Sequence, residues 1–324
     1  MKKIKLGNTI LESNVILAPM AGVTDLPFRK IIREFSGNFL MFSEMIASQA
    51  VIRHVRKTFQ MLEGSDDPYT SIQIAGSDPY VMSEAARLSE DLGAKFLDIN
   101  MGCPVKKIVK SDAGSALMKD EKLAGSIIES VVKSVKIPVS LKMRLGWDHD
   151  HKNSPTIARM AEDMGISMIT VHGRTRSQLY NGIADWKSIK LVKDVLKNIP
   201  LIVNGDIVDI NSARQALQDS NADGVMIGRG SLGQPWILKE IHNFLESGNN
   251  ENLNISIEEK FKIAKKHIDY MMDFYDHETS YKLCRKVLVY YCKGIPNAAK
   301  YRQRINTVID KNEIYDILHE FFNN

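Results

Sequence analysis

Short runs of apolar residues recur through the first three quarters of the chain, and amphipathic segments separate them. Most of these runs lack strict alternation of apolar and polar residues, as is typical of strands covered on both faces in a parallel sheet. Eight of them are predicted as strands, at residues 15–18, 39–42, 70–74, 96–99, 139–142, 168–171, 201–203 and 224–227. Eight strands that alternate with helices over about 235 residues predict an α/β fold, the (β/α)8 TIM barrel.

The segment after the first predicted strand is an example of the pattern that predicts the intervening helices. Thr24 can cap this helix, and Asp25 is favoured in its first turn. Apolar side chains follow at i, i+3, i+4 and i+7, namely Phe28, Ile31, Ile32 and Phe35. A doubly wound open sheet is the alternative architecture, but the glycine-rich turn that such a fold places after its first strand is missing.

The pattern changes near Glu246. Residues 247–252 are polar and turn-forming, and we interpret them as a linker. Beyond them the apolar positions fit helices alone. The sequence therefore predicts a barrel domain over residues 1–245 and a small C-terminal helical domain over residues 246–324.

The composition of the 324 residues is that of an ordinary globular protein, with 44% hydrophobic and 25% charged residues and a net charge of +4. The three cysteines, Cys103, Cys284 and Cys292, form no CxxC pair, which argues against a disulfide framework or a zinc site. The amino terminus does not resemble a signal peptide, and no apolar run approaches the ~18 residues of a membrane span. We expect a cytoplasmic, monomeric protein that binds no metal.

One cysteine lies in an unusual setting. Cys103 follows the predicted strand at 96–99, and Gly102 and Pro104 on either side of it place it on a loop. Lys106 and Lys107 come just downstream. Structural cysteines are usually buried inside helices or strands, whereas nearby cations favour the thiolate and mark a reactive group. Cys103 is therefore a candidate catalytic residue.

Functional groups of such barrels gather at the carboxyl ends of the strands. Here those ends carry Pro19-Met20-Ala21, Glu44, Gln73, Asn100, Lys142, His172, Asn204-Gly205-Asp206 and Gly228-Arg229-Gly230. Glycine-bearing turns after the seventh and eighth strands form the usual phosphate site, to which Arg229 can add charge-assisted contacts. Gln73 and Lys142 can hydrogen-bond a polar ring. Flavin mononucleotide (FMN) offers both a phosphate and such a ring.

Three of these residues also have simpler structural interpretations. Lys142 can pair with Asp98 inside the barrel. His172 can be a hydrogen-bonded structural histidine, and Glu44 can hold a loop or cap the following helix. These alternatives stay open at the level of the sequence.

Six segments resemble the tRNA-dihydrouridine synthases in residues, order and spacing. They are LAPMAGVTD at 17–25, QIAG at 73–76, DINMGCP at 98–104, VHGRTR at 171–176, VNGD at 203–206 and DGVMIGR at 223–229. The Asn-x-Gly-Cys-Pro element is highly specific in this combination. Met101 and the Lys106-Lys107 pair resemble the bacterial B-type subgroup. The resemblance covers the barrel and, less sharply, the helical tail.

The resemblance implies an oxidoreductase with bound FMN, reduced by NADPH, and Cys103 as the proton donor. A hydride would pass from the flavin to C6 of a tRNA uridine, and Cys103 would protonate C5 from the opposite face. The uridine would have to leave its stacked position to be reached. Because the thiol must be protonated, Lys106 and Lys107 would face RNA phosphate instead. The implied FMN contacts are Pro19, Met20, Ala21, Gln73, Lys142, His172, Asn204, Gly205, Asp206, Gly228 and Arg229.

The tail combines basic and aromatic residues, which suit phosphate contact and base stacking. Residues 261–304 hold ten Lys or Arg against four Asp or Glu, and seven Tyr and Phe are interleaved from residue 270 to residue 301. The alternative is a plain helical bundle with an aromatic core and a solvated basic face. We favour RNA contact, and across barrel and tail we expect it at Asn100, Lys106, Lys107, Arg174, Arg176, Lys282, Arg285, Lys286, Lys293, Lys300, Arg302 and Arg304.

Two other functions remain open. One is an FMN-dependent barrel oxidoreductase that acts on a small molecule, of the dihydroorotate dehydrogenase or ene-reductase kind, which would not need a basic helical tail. The other is a non-catalytic RNA-binding barrel protein, which would be colourless because it holds no flavin.

Overall fold

The computed structural model describes residues 2–53, 55–64, 67–248, 253–292, 298–306, 308 and 310–323, without the side chains of 56, 57, 298–300, 302, 311 and 323. Its strands are β1 Lys5–Leu6, β2 Thr9–Ile10, β3 Val15–Leu17, β4 Met41–Ala47, β5 Thr70–Ala75, β6 Phe96–Met101, β7 Val139–Arg144, β8 Met168–His172, β9 Leu201–Asn204 and β10 Gly224–Ile227.

The α-helices along the barrel are α1 Leu26–Ser36, α2 Ser48–Ile52, α3 Arg56–Leu62, α4 Pro79–Asp91, α5 Lys106–Val109, α6 Glu121–Ser134, α7 Ser154–Asp163, α8 Trp186–Val195, α9 Ile210–Ser220 and α10 Ile237–Ser247. Four more follow: α11 Ile257–Phe274, α12 His277–Tyr291, α13 Ala298–Ile305 and α14 Lys311–Asn323. Short 3-10 helices span Gly114–Lys119 and Arg229–Ser231. Within the described ranges, none of the helices combines the length and the hydropathy that crossing a bilayer requires.

Eight of these strands close into a parallel barrel in the order β10-β3-β4-β5-β6-β7-β8-β9. Each predicted strand corresponds to one of them, so the predicted TIM barrel is confirmed. The largest difference is in β4, which starts at Met41 and continues to Ala47 through an irregularity between Phe42 and Met45. The predicted strand at 39–42 therefore began too early and ended too soon.

The amino-terminal end of the barrel is closed by apolar side chains. The antiparallel hairpin of β1 and β2, which the sequence analysis did not predict, brings Ile4, Leu6 and Leu11 against the barrel interior. They pack there with residues such as Phe96 and Met168, the first residues of β6 and β8. Since this end is filled, polar chemistry is confined to the opposite, carboxyl end.

Helix α1 begins at Leu26, one residue later than the predicted cap at Thr24 would place it. Asp25, not Thr24, is the N-cap, because its carboxylate accepts the backbone N–H of Phe28 at 3.0 Å. The Thr24 hydroxyl instead accepts the N–H of Met20 at 2.9 Å and so braces the loop that follows β3.

The helical tail has an apolar cluster of its own, built from α11 to α14. Helix α10 packs on the barrel cluster through residues such as Ile237 and Ile241 and ends only at Ser247. The separate clusters fit a division near residue 245, but that domain boundary stays a prediction. Residues 249–252 of the predicted linker lie outside the described residues.

Polar contacts join the tail to α1. The Tyr275 hydroxyl donates to Asp25 Oδ2 at 2.8 Å. Further along α1, Glu34 accepts the Tyr270 hydroxyl at 2.8 Å and pairs with Lys266 at 2.8 Å. These contacts hold the tail against the helix that follows the first barrel strand.

Candidate active site

Polar side chains fill the carboxyl end of the barrel interior. Side chains alternate along a strand, so residues two apart point to the same side. The strand register aligns them in layers: Gln73, Asp98 and Ser140; then Asn100 and Lys142; then Arg144, His172 and Asn204. All eight are buried. The sequence predicted most of these residues as strand-end groups, and the structure brings them together.

The loop of Cys103, which follows β6, is held from two sides. On one side, Asn100 Oδ1 accepts the N–H groups of Gly102 at 3.1 Å and Cys103 at 2.9 Å. On the other, Ser115 donates its N–H and its hydroxyl to the Cys103 carbonyl at 3.0 and 2.9 Å. Gly114 has a φ of +60°, and a Cβ there would lie 2.8 Å from that carbonyl oxygen. Glycine is therefore required for the loop to close.

The thiol of Cys103 is half-buried. Burial raises its pKa above the ordinary value of 9.0, and the charges of Arg144 and Lys142 offset this only in part. At neutral pH the group is therefore a thiol, which suits an acid better than a nucleophile. Lys106 and Lys107 are exposed, and the cations that act on Cys103 come from β7. Contact of the two lysines with RNA phosphate stays a prediction.

Lys142 is a buried cation with spare hydrogen-bonding capacity. Its ammonium donates to Asn204 Oδ1 at 3.1 Å, and the Asn204 amide is fixed in turn by the carbonyl of Met226 at 2.8 Å. The simpler interpretation, in which Lys142 pairs with Asp98, does not hold. The Asp98 carboxylate accepts hydrogen bonds from Gln73 and Ser140 instead. Burial, together with the charge of Arg144, lowers the pKa of Lys142 to about 8. An ammonium has three donors, so Lys142 can still bind a ligand.

A positive field surrounds His172. Burial lowers its pKa well below the ordinary value, and four neighbouring cations lower it further. These cations are Lys142, Arg144, Arg174 and Arg229. Only one carboxylate, that of Asp206, pairs with any of the four within the described residues. The mouth of the barrel therefore suits an anionic ligand.

Arg174 has a structural role in the barrel mouth, and its predicted contact with RNA stays a prediction. Its side chain is 2% exposed and forms two hydrogen bonds to Asp206, at 3.0 and 2.6 Å. It also donates to the carbonyls of Asn181 at 3.1 Å and Gly182 at 2.7 Å. The nearby Nε2 of His172 is 3.3 Å from its Nη1, so His172 also has the structural hydrogen bond that the alternative interpretation allowed.

Asp206 also orients Arg229. Burial alone would raise the pKa of Asp206, but hydrogen bonds from Arg174 and the Ala184 N–H lower it below its ordinary value. The Arg229 guanidinium donates to the same carboxylate at 3.2 Å and keeps 55% of its side chain exposed. The turns after β9 and β10 therefore meet through this ion pair, at the predicted phosphate site.

The loop after β3 lies beside the turn after β10. A Cβ on Gly228 would lie 3.6 Å from the sulfur of Met20. The other predicted flavin contacts of this loop are Pro19, half-buried, and Ala21, exposed. Glu44 accepts the N–H of Gly22, so it holds the loop, as the simpler interpretation allowed.

Arg176 lies further out on the loop after β8. Its guanidinium lies 4.4 Å from the ring centre of Trp147, and the ammonium of Lys119 lies 4.3 Å from the same ring. Its Nε is buried without a hydrogen-bond partner among the described residues. A role of Arg176 in RNA binding stays a prediction.

The tail residues differ in what they can reach. Lys286 donates to the Gly22 carbonyl at 2.9 Å, which brings an exposed ammonium to the loop after β3. Lys282 and Arg304 are exposed but pair with acidic residues of the tail, at 2.5 Å in both cases. Lys293 and the side chains of Lys300 and Arg302 lie outside the described residues.

Other tail residues are structural. Arg285 donates to the carbonyl of Val308 at 2.8 Å and so ties helices of the tail together. Tyr291 and Tyr301 are buried in the tail core, and Tyr275 and Tyr281 pack against it. Burial of Tyr291 and Tyr301 fits the helical-bundle interpretation for these two residues, whereas base stacking by the other tail aromatics stays a prediction.

Sequence analysis gave no role to Arg144, although it is buried at the centre of the site. Its Nε donates to the Gly102 carbonyl at 2.8 Å, and its Nη1 donates to the carbonyls of Thr175 and Leu179, both at 2.8 Å. It thereby joins the Cys103 loop to the loop after β8. The signal was present in β7, where Ser140, Lys142 and Arg144 alternate with apolar residues and so share one face.

A TIM barrel whose carboxyl end holds a half-buried thiol among cations indicates the class of protein, an enzyme, and the positive charge at that end suits an anionic ligand. A family model described as Dihydrouridine synthase (Dus) matches residues 16–324. A Rickettsia bellii protein named "Probable tRNA-dihydrouridine synthase" is 48% identical over 321 residues, 98% of this chain and 98% of its own. A Pasteurella multocida protein named "tRNA-dihydrouridine synthase B" is 40% identical over 321 residues, 99% of this chain and 96% of its own.

The chain therefore belongs to the dihydrouridine synthase family, and the predicted resemblance and oxidoreductase class are confirmed. Among solved structures, a 2-naphthoyl-CoA reductase complex matches 77% of this chain and 52% of its own with a TM-score of 0.55. At 12% identity, that likeness concerns the fold alone.

Proposed function

We propose that this protein reduces the C5–C6 double bond of uridines in tRNA, with FMN as its bound cofactor and NADPH as the reductant. Family membership and the names of the relatives support the reaction and the substrate. The observation that carries the proposal is the half-buried thiol of Cys103, held on a braced loop beside buried cations.

The residues at the barrel mouth fit FMN. Four cations meet there with one paired carboxylate, which suits a phosphate and an electron-rich ring. The turns at Gly205 and Gly228, with Arg229, would hold the phosphate. Gly205 has a φ of +115°, and a Cβ there would lie 2.7 Å from the His172 ring, so a side chain would not fit. Lys142 and Gln73 would hold the ring.

Cys103 supplies the proton that the reduction needs. Bound FMN, once reduced by NADPH, would supply the hydride for C6 of the uracil ring. The sulfur of Cys103 gives its proton to C5, so the double bond gains one hydride and one proton. The thiolate left behind is stabilised by the charges of Arg144 and Lys142 and takes a new proton from water.

Exposed cations around the mouth would bind the RNA backbone. Lys106 and Lys107 open α5, directly after the Cys103 loop, and both are exposed. Lys286 reaches the mouth from the tail through its contact with Gly22. A uridine must be unstacked before its C5 and C6 can be reached, and phosphate contacts on both sides would favour that state.

The proposal is tested by the visible spectrum and the reoxidation of the purified protein. We expect a flavin spectrum that NADPH bleaches and that tRNA lacking dihydrouridine restores much faster than a small enone does. Rapid reoxidation by enones without any effect of tRNA would show instead an oxidoreductase of small molecules. A colourless protein that binds tRNA and takes up no added FMN would show a non-catalytic RNA-binding protein.

Neutralising the exposed lysines should weaken tRNA binding and its dependence on salt. For Lys106→Gln, Lys107→Gln and Lys286→Gln combined, the slope of log affinity against log salt should become shallower by about 1 for each RNA phosphate that the variant no longer neutralises. The measurement is a titration of tRNA binding at several salt concentrations. Lys133→Gln is the matched control, because Lys133 is exposed in the last turn of α6, toward the opposite end of the barrel. Equal slopes in the triple variant and the control would contradict the proposed RNA surface.

A further inference from the structure

Asp98 is a carboxylate buried at the centre of the barrel, with no exposed surface. It lies in the layer below Lys142, and its two oxygens are both engaged. Oδ2 accepts a hydrogen bond from Gln73 Nε2 at 2.7 Å, and Oδ1 accepts one from the Ser140 hydroxyl at 2.5 Å. Burying a carboxylate is costly, so its presence at this position calls for an explanation.

Hydrogen bonds lead from Asp98 to the loop of the proposed acid. The other end of the Gln73 amide, Oε1, accepts from Asn100 Nδ2 at 2.7 Å. The other end of the Asn100 amide, Oδ1, accepts the backbone N–H groups of Gly102 and Cys103 at 3.1 and 2.9 Å. Asp98, Gln73 and Asn100 thus form a relay of three side chains that ends on the backbone of Cys103.

The direction of both amides in this relay is fixed from its two ends. The N–H groups of Gly102 and Cys103 can only donate, so Asn100 must turn its oxygen toward them and its NH₂ toward Gln73. Gln73 must then turn its oxygen toward Asn100 and its NH₂ toward Asp98. The relay closes only if residue 98 accepts a hydrogen bond, which a carboxylate does in either protonation state.

We propose that Asp98 is a positioning residue for Cys103: as the fixed acceptor at the end of the relay, it sets the direction of the Gln73 and Asn100 amides and thereby holds the loop that presents the thiol. The catalytic part of this statement rests on the proposed function, whereas the structural part concerns the Cys103 loop alone. The same constraint leaves two groups of Gln73 for a ligand, namely the second N–H of its NH₂ group and the second lone pair of its oxygen.

The relay predicts that two substitutions of Asp98 differ in their effect on the Cys103 loop. In Asp98→Asn, the side-chain oxygen can accept from Gln73 while the NH₂ group donates to the Ser140 hydroxyl, so the relay survives. In Asp98→Ala, the acceptor is removed, and the Gln73 NH₂ group loses the partner that anchors it, so the relay is held from the Asn100 end alone. Ser71→Ala is the matched control, because Ser71 lies two residues before Gln73 on β5, is fully buried and has a hydroxyl without a partner among the described residues.

The first measurement is the rate at which iodoacetamide alkylates Cys103 as a function of pH, followed by peptide mass spectrometry. Loosening of the loop in Asp98→Ala exposes the thiol to water and lowers its pKa toward the ordinary value. A fall of one pKa unit would raise the alkylation rate at pH 8 by about tenfold. Asp98→Asn and Ser71→Ala should keep the profile of the unmodified sequence.

The second measurement is the steady-state reduction of tRNA. Misplacement of a reacting group by about 1 Å can cost about 100-fold in rate, so Asp98→Ala should lower kcat strongly while the KM for tRNA changes little. Asp98→Asn should restore kcat. If no variant reduces tRNA but the alkylation profiles differ as described, the proposed function fails and the relay stands.

Unchanged alkylation and unchanged kcat in a folded Asp98→Ala protein would overturn the relay. The relay would also be overturned if Asp98→Asn changed alkylation and kcat as much as Asp98→Ala does. The hydrogen-bond acceptor at residue 98 would then not determine the position of the loop. Should Asp98→Ala fail to fold, Gln73→Leu interrupts the relay at its middle and must change the alkylation profile in the same way. An unchanged alkylation profile in Gln73→Leu would also overturn the relay.

Discussion

Cys103→Ala should retain its yellow flavin and lose nearly all formation of dihydrouridine. Removal of a general acid typically lowers a rate by about 100- to 10,000-fold. Because Cys103 lies on the loop after β6 and, in the described part of the chain, its hydrogen bonds do not involve the turns at Gly205 or Gly228, the cofactor should stay bound. The measurement is a single-turnover reaction of the NADPH-reduced protein with tRNA, followed by the flavin absorbance and by dihydrouridine analysis of the RNA.

Two further variants sharpen this experiment. Cys103→Ser keeps the size of the side chain but offers a much weaker acid, so it should be impaired nearly as strongly as Cys103→Ala. Cys284→Ala is the matched control, because Cys284 is buried in the tail core. The acid role would be refuted by full activity of Cys103→Ala on native tRNA.

Arg174→Met should destabilise the folded protein by about 3 kcal/mol. Removal of one partner of a buried ion pair typically costs about 3 to 5 kcal/mol. The loss is large because the guanidinium, which is 2% exposed, satisfies Asp206 and two backbone carbonyls, those of Asn181 and Gly182. Asp206 keeps some exposure and its contact with Arg229, which is why we expect the low end of that range. Urea denaturation gives the free energy of unfolding.

The control for this prediction is Arg159→Met. Arg159 pairs with Asp163 at 2.5 Å on the surface of α7, and its side chain is 31% exposed. A surface pair contributes about 1 kcal/mol or less, so this variant should unfold close to the unmodified sequence. If the two variants lose the same stability, Arg174 does not have the structural role described here.

The barrel was predictable from sequence because its strands are covered on both faces and are therefore apolar runs in the sequence, such as residues 15–18 and 224–227. The N-terminal hairpin was not, because Lys5–Leu6 and Thr9–Ile10 are too short to show a period. The cap of α1 was misplaced by one residue because Thr24 and Asp25 are both good caps, and only the hydrogen bond to Phe28 decides between them.

The strand-end residues of the site were predictable, but their partners were not. A sequence shows that Lys142 and Arg144 lie on one face of a strand, yet it does not show which neighbours the register aligns with them. Arg174 was predicted to bind RNA because it follows His172 at a strand end, and its pairing with Asp206 depends on how the loop after β8 folds over β9. The relay from Asp98 likewise depends on the register of two strands, β5 and β6.

Mapping of dihydrouridine in tRNA, position by position, tests the central claim most directly. The tRNA comes from cells that lack this gene and from the same cells supplied with the unmodified sequence or with Cys103→Ala. The account predicts that one or more uridines remain unreduced without the gene, are reduced again with the unmodified sequence, and stay unreduced with Cys103→Ala. An identical dihydrouridine pattern in all three samples would contradict it.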